Sequence, residues 1–168
     1  MASRAPLPFD PIDEARRQWI DHGWRAAADG MSVVTSVIRV QQVLMVQIDR
    51  VLRSTGLSFA RYEVLMLLHF SRQGELPLGK IGSRLQVQPG AVTNAVDRLE
   101  DDGLVSRRAH PTDGRTTLAT LTKSGRRVAL AATETLNRDV FEVVGSSGTR
   151  RRELFALLRD LRVDDFES

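Results

Sequence analysis

Residues 78–122 read LGKIGSRL, QVQ, PGAVTNAVDRLEDDG, LVSRR, AHPTDG, RTTLATL and T, and each piece predicts its own local shape. Leu78 to Leu85 is a short helix with Ile81 and Leu85 turned inward, and Gln86-Val87-Gln88 is a tight connection. Pro89 starts a second helix, because its ring presets the first-turn φ and it has no amide hydrogen to leave unpaired. Val92, Val96 and Leu99 follow at i, i+4 and i+7, which makes one buried face. Gly103 ends that helix. Leu104 to Arg108 then reads as a strand, His110 to Gly114 as a turn and Arg115 to Leu121 as the returning strand. Pro111, Asp113 and Gly114 supply the turn chemistry.

The outward side of the second helix presents Gly90, Thr93, Asn94, Asp97 and Arg98. Asn can pair bidentately with adenine and Thr can meet a thymine methyl or a phosphate, so this face suits a DNA major groove. Arg98, further along, suits a phosphate. The same face is equally that of an amphipathic helix whose polar side meets only water. The hairpin carries Arg107, Arg108 and Arg115 against one acid, Asp113. An arginine held at a hairpin tip fits a minor groove, where negative potential concentrates. Asp113 could orient that guanidinium, or the two could form no more than a turn-stabilising pair.

On the N-terminal side, Asp10 caps a helix with Pro11 at its first position, running through Trp19 to about Ala28, with Gly30 as the break. Val34, Val37, Ile38, Leu44, Ile48, Val51 and Leu52 then recur at three- and four-residue intervals, a long amphipathic helix closed by Gly56. Ser58 caps the next helix, which buries Tyr62, Leu65, Leu68 and Phe70, and Gly74 and Pro77 punctuate its end. On the C-terminal side, Thr122 opens a helix with Val128, Ala132, Leu136, Val140, Val143 and Val144 on its apolar side. Residues 145–148 break it, and Thr149 caps a last helix bearing Leu154, Leu157, Leu158 and Leu161. Such long terminal helices lack partners within so small a core, and a dimer that interleaves them would bury their stripes.

The chain has 168 residues, a net charge of +3 and no cysteine, which excludes disulfides, thiolate metal sites and cysteine redox switches. Arg greatly outnumbers Lys, which favours phosphate and guanine recognition and is equally the mark of a solvated surface encoded in GC-rich DNA. Met1 to Pro11 show no signal peptide, and no run approaches the roughly 20 apolar residues of a membrane span. The expected location is the cytoplasm, with no membrane partner. His22, His69 and His110 are scattered without metal-ligand or triad spacing. The expectation is therefore no catalysis, no metal and no cofactor, with His69 a packed core residue.

These motifs together resemble the MarR-type regulators. Asp113-Gly114-Arg115, five residues and then Leu121-Thr122 match that family's D-x-R-x5-L-T signature. Leu78 to Leu85, Val92 to Glu100, Gly103-Leu104-Val105 and Lys123-Ser124-Gly125 fit as well, so the resemblance covers about Val34 to Leu161. It implies a mainly α fold, with a winged helix-turn-helix lobe of three helices plus a β-hairpin wing, flanked by long N- and C-terminal dimerisation helices. The organisation expected is a disordered tail over 1–9, a helical extension and dimerisation helices over 10–56, the DNA-binding lobe over 57–122, and C-terminal dimerisation helices over 123–168. It also implies a homodimeric transcriptional repressor on a pseudo-palindromic double-stranded operator. Gln88, Thr93 and Asn94 would read the major groove, Arg98 would hold phosphate, Arg115 would enter the minor groove positioned by Asp113, and Arg107 on the basic wing would bind DNA as well.

Members of such a family often release DNA when a small aromatic or anionic effector binds. Trp19, His22, Trp24, Arg39 and Tyr62 are the candidates to flank such a ligand, with interface packing as their plainer role. The helix from Asp10 to Ala28 precedes the family's usual first helix and resembles the urate-responsive branch, as do Trp19, Trp24 and Glu63. Ala95 stands where that branch has a ligand-binding arginine, so urate is not assigned. The rival to a DNA regulator is a winged-helix module that binds protein without specific DNA binding.

Overall fold

The computed structural model describes residues 7–145 and 147–163; the expected disorder over 1–9 lies, for residues 1–6, outside them. The chain divides into two units, one ending at Gln47 and one beginning at Ile48. The elements in order are α1 (Pro11–Asp21), α2 (Arg25–Leu52), a 3₁₀ turn (Arg53–Thr55), α3 (Phe59–Phe70), β1 (Glu75–Pro77), α4 (Leu78–Leu85) and α5 (Pro89–Asp101). They continue with β2 (Val105–Ala109), β3 (Thr117–Leu121), α6 (Lys123–Leu136), a π-helical turn (Asn137–Phe141) and α7 (Gly148–Val163).

Asp10 caps α1 as expected, its carboxylate accepting the Ile12 and Asp13 amides at 2.7 and 3.3 Å. The break that follows is at Gly23, not Gly30. Gly23 has φ +87°, a left-handed conformation that costs a glycine little. Gly30 keeps helical geometry inside α2, where a glycine costs about 1 kcal/mol relative to alanine without ending a helix that continues on both sides. The consequence corrects a second expectation. Uninterrupted, the stretch Arg25–Thr55 is long and apolar enough to cross a membrane by length and composition alone.

The second unit holds one core. Leu52, Leu65, Leu68, Ile81, Val96 and Leu99 are fully buried, joined by Leu136 from α6. Ser58 caps α3 and Gly56 adopts the left-handed region before it, both as expected. Phe70 does not join the core; it is 73% exposed at the last position of α3. Val143 is likewise exposed, since α6 gives way after Leu136 to the π-helical turn and the helical stripe is lost. The cap of α7 is Ser147, whose hydroxyl accepts the Arg150 amide at 3.3 Å, because the helix already begins at Gly148.

The wing is larger than a hairpin. β1 pairs antiparallel with β3 (Leu76 opposite Ala119), giving a three-stranded sheet in the order β1-β3-β2. Pro77 ends β1 on the sheet edge, where a missing amide is tolerated. The junction of β3 with α6 is tightly built. Thr122 Oγ1 accepts the Gly125 amide at 2.9 Å and lies 2.9 and 3.0 Å from the Gly103 and Leu104 carbonyl oxygens. A Cβ at Gly125 would fall 2.0 Å from the Leu104 carbonyl oxygen, so only glycine fits there.

Candidate nucleic-acid interface

α5 buries Val92, Ala95, Val96 and Leu99 against the core and leaves Gln88, Thr93, Asn94 and Arg98 exposed. Ala95, adjacent to the expected stripe, is part of the packed face at 8% exposure. Gln88 sits at the N-cap in an extended conformation and its side chain makes no capping bond, so its amide is not spent on the helix. Thr93 Oγ1 donates back to the Pro89 carbonyl at 3.1 Å. Arg98 Nε donates to Asn94 Oδ1 at 3.0 Å, coupling the two side chains along one edge of the helix. α4 approaches closely at Gly82, where an added Cβ would stand 3.3 Å from Val92 Cγ2.

Of the two roles open to Asp113 in the sequence, orienting the Arg115 guanidinium or stabilising the turn, the contacts at the wing tip are those of the second. Asp113 Oδ1 accepts the Arg115 amide at 3.1 Å and its Oδ2 accepts the Thr116 hydroxyl at 2.7 Å. The Thr116 hydroxyl first, and then the Arg115 amide, hold the Asp113 carboxyl below the usual carboxylate range. The Arg115 guanidinium is left exposed, with no ion-pair or hydrogen-bond partner among the described residues.

The other two wing arginines are engaged by acids that lie outside the hairpin. Arg108 donates to both carboxylate oxygens of Glu75 on β1, at 2.6 and 3.1 Å, and Thr120 on β3 adds a 3.2 Å bond to the same carboxylate. The Glu75 carboxyl is held below its ordinary range, chiefly by the Arg108 hydrogen bond. Arg107 pairs with Asp97 and lies 3.6 Å from Glu100, both on α5. The sequence places Asp97 on the outward face of the helix but assigns neither it nor Glu100 or Glu75 a role at the wing. Only the sheet register and the α5–β2 packing bring them to the wing.

The aromatic candidates fall into two groups. Trp19 and Trp24 meet edge to face with ring centroids 5.4 Å apart, and His22 stacks on Trp24 at 5.9 Å. Arg39, on α2, donates to Gln42 at 2.9 Å. Tyr62 belongs to the second unit, is 7% exposed and shares a 3.0 Å hydrogen bond with the Thr133 hydroxyl. His69 is only partly buried; its Nδ1 lies 3.1 Å from Arg126 Nη1. Glu63 on α3 has no hydrogen bond or ion pair among the described residues, and partial burial pushes its carboxyl up.

Comparison with known proteins places this arrangement in a family. Residues 57–117 match the model of the MarR family. Sco5413, a MarR family transcriptional regulator from Streptomyces coelicolor, is 47% identical, with a TM-score of 0.75 over 83% of this chain and 96% of that one. Sco3205, a MarR family regulator of the same organism solved in complex with DNA, is 25% identical, with a TM-score of 0.70 over 80% of this chain and 86% of that one. The HTH-type transcriptional regulator MhqR of Bacillus subtilis is 40% identical over 42% of this chain. The chain spans 47% of the length of MhqR and 65% of a second Bacillus subtilis regulator. With a 47% identical relative covered almost end to end and the wing lobe matching the family model, the chain belongs to the MarR family of transcriptional regulators.

Proposed function

We propose that this protein is a homodimeric, sequence-specific repressor that occupies a pseudo-palindromic operator and leaves it when a small aromatic or anionic effector binds. The observation that carries the reading is the asymmetry among the wing arginines. Arg107 and Arg108 are neutralised by acids of the same chain, whereas Arg115 stands exposed at the tip on a turn stiffened by Asp113. A cation so presented suits the negative potential of a minor groove. Gln88, Thr93 and Asn94 then serve base recognition, and Arg98 serves phosphate. The DNA complex of Sco3205 supports this use of the fold.

Dimerisation is supported by apolar side chains left in water. Val34, Val37 and Ile38 on α2 are exposed, as are Leu154, Leu157 and Leu161 on α7. Contiguous exposed apolar stripes mark interaction surfaces. We assign them to a second copy rather than to a membrane, since Arg39, Gln41, Gln42 and Asp49 interrupt α2. Two lobes related by a two-fold axis would read half-sites about 34 Å apart. In this reading residues 57–122 carry the DNA contact, residues 10–56 and 123–168 carry the dimer, and the protein is a cytoplasmic regulator with no catalytic role.

The effector is assigned to the Trp19, His22 and Trp24 cluster, where a flat aromatic acid could stack. Tyr62 is already committed to Thr133 and serves packing. Selecting genomic fragments with the full chain, then measuring affinity across salt, tests the main reading: neutralising several phosphates makes binding fall steeply with ionic strength. Retention of no fragment at low salt would end it. A thermal-shift screen of small aromatic acids, with and without Trp24→Ala, tests the effector.

A further inference from the structure

Arg107 lies on β2; its backbone amide and Nη2 are hydrogen-bonded to α5, its Nη1 is ion-paired with α5, and its Nε is buried. Its backbone amide donates to Glu100 Oε1 at 2.9 Å, and Nη1 lies 3.6 Å from Glu100 Oε2. Nη2 pairs with Asp97 and donates to the Thr93 carbonyl at 3.3 Å. Nε is buried with no partner among the described residues. The side chain as a whole is 25% exposed.

Thr93, Asp97 and Glu100 stand at i, i+4 and i+7, so one side chain spans two turns of a single helical stripe. That stripe adjoins the edge carrying Asn94 and Arg98. Asp97 and Glu100 are out of place on a helix meant for a polyanion, since each repels phosphate. Their presence makes sense if they hold something other than DNA. Together they more than neutralise Arg107, and a phosphate would have to displace two carboxylates to reach it.

We propose that Arg107 is a positioning residue that locks the wing to the recognition helix and does not itself contact DNA. The lock turns two separate contacts, α5 in the major groove and Arg115 in the minor groove, into one rigid reader of fixed spacing. This inference rests on the DNA-binding reading above.

The test uses the full chain and a fragment that the wild-type protein has selected. Simple electrostatics expects Asp97→Asn to tighten binding, because it removes a negative charge facing a polyanion. The lock requires the reverse. Asp97→Asn and Arg107→Met should each weaken binding about tenfold, within the usual range of coupling between contacting residues. The paired variant should bind no more weakly than the worse single one, and Arg115→Ala should cost less in the Arg107→Met background than alone. Hydroxyl-radical protection in the minor groove beneath the wing should fade while guanine N7 protection beneath α5 persists, a split that general destabilisation does not produce.

Arg107→Lys keeps the charge but loses the fork. It should resemble Arg107→Met if the residue positions the wing, and wild type if it merely supplies charge to phosphate; it also serves where Arg107→Met fails to fold. Tighter binding by Asp97→Asn, or additive losses from Arg107→Met and Arg115→Ala, would overturn the proposal with DNA binding intact. Failure of the wild-type chain to retain any fragment would remove both the proposal and the reading beneath it.

Discussion

The carboxylate of Asp113 accepts the backbone amide of Arg115 at 3.1 Å, while the exposed Arg115 guanidinium has no ion-pair or hydrogen-bond partner among the described residues. One acid therefore shapes the turn without neutralising the cation the turn displays. The two residues act at different levels, and substitutions should separate them.

Arg115→Ala should lower operator affinity by about 1–3 kcal/mol, the size of a direct groove contact, while leaving the melting temperature unchanged. Asp113→Ala should lower affinity and also loosen the turn, read as faster amide exchange at Arg115 and Thr116. If Arg115→Ala binds as tightly as wild type, the residue is only part of the turn.

Acid should weaken the wing before the core. Asp113 and Glu75 both have folded-state values depressed by hydrogen bonds, from Thr116 and from Arg108 respectively. A depressed carboxylate contributes stability above its unfolded value, about 3.9 for Asp and 4.3 for Glu, and that contribution is lost as pH falls through the lower folded value. The stability gap between wild type and Glu75→Gln should thus be constant at neutral pH and close below about pH 4. Denaturant melts across pH would show it, and a gap that widened in acid would contradict the assigned pairing.

Gly125→Ala should destabilise the lobe by about 2–3 kcal/mol, the cost of forced overpacking, because its Cβ would enter the space of the Leu104 carbonyl. Thr122→Val should add a separate loss by removing the cap to the Gly125 amide. Urea denaturation reads both. An unperturbed Gly125→Ala would mean that the α6 entry tolerates a shift that the packing argues against.

Much of the lobe is legible in sequence because its signals are local. Pro89 with Val92, Val96 and Leu99, Ser58 before α3, and Thr122 before Gly125 each act within about three turns of chain. What is not legible depends on distance. Glu75 reaches Arg108 across 33 positions, through a β1 strand of three residues ending in proline that has no strand pattern of its own. The three arginines of the wing look alike until the sheet register and α5 packing supply Glu75, Asp97 and Glu100. The break in the N-terminal helices falls at Gly23 rather than Gly30 because a glycine stops a helix only where the chain adopts a left-handed φ.

The exposed stripes on α2 and α7 should be needed for assembly. Val37→Glu or Leu157→Glu places a charge on a face that a second copy would cover, and should shift sedimentation from dimer to monomer. Operator binding should fall with it, because a single lobe loses the second half-site. A wild-type protein that sediments as a monomer at micromolar concentration would remove the dimer from the account.

Asn94 and Arg98 share a 3.0 Å hydrogen bond, yet their roles on DNA should differ. An amide that pairs with adenine distinguishes one base from the others, at about 1–3 kcal/mol per good bidentate contact. Asn94→Ala should therefore flatten the preference at one operator position in each half-site, with little change at the rest. A phosphate contact carries no sequence information, so Arg98→Ala should weaken all sequences alike and reduce the salt slope by about one per contact removed. Because Asn94 holds Arg98 through Nε, Asn94→Ala should also release that arginine and cost a small uniform loss on top of the relaxed preference. Selection from randomised operators with both variants measures the two patterns side by side. If Asn94→Ala gave only the uniform loss, Asn94 would serve to steer Arg98, and base reading on α5 would fall to Gln88 and Thr93.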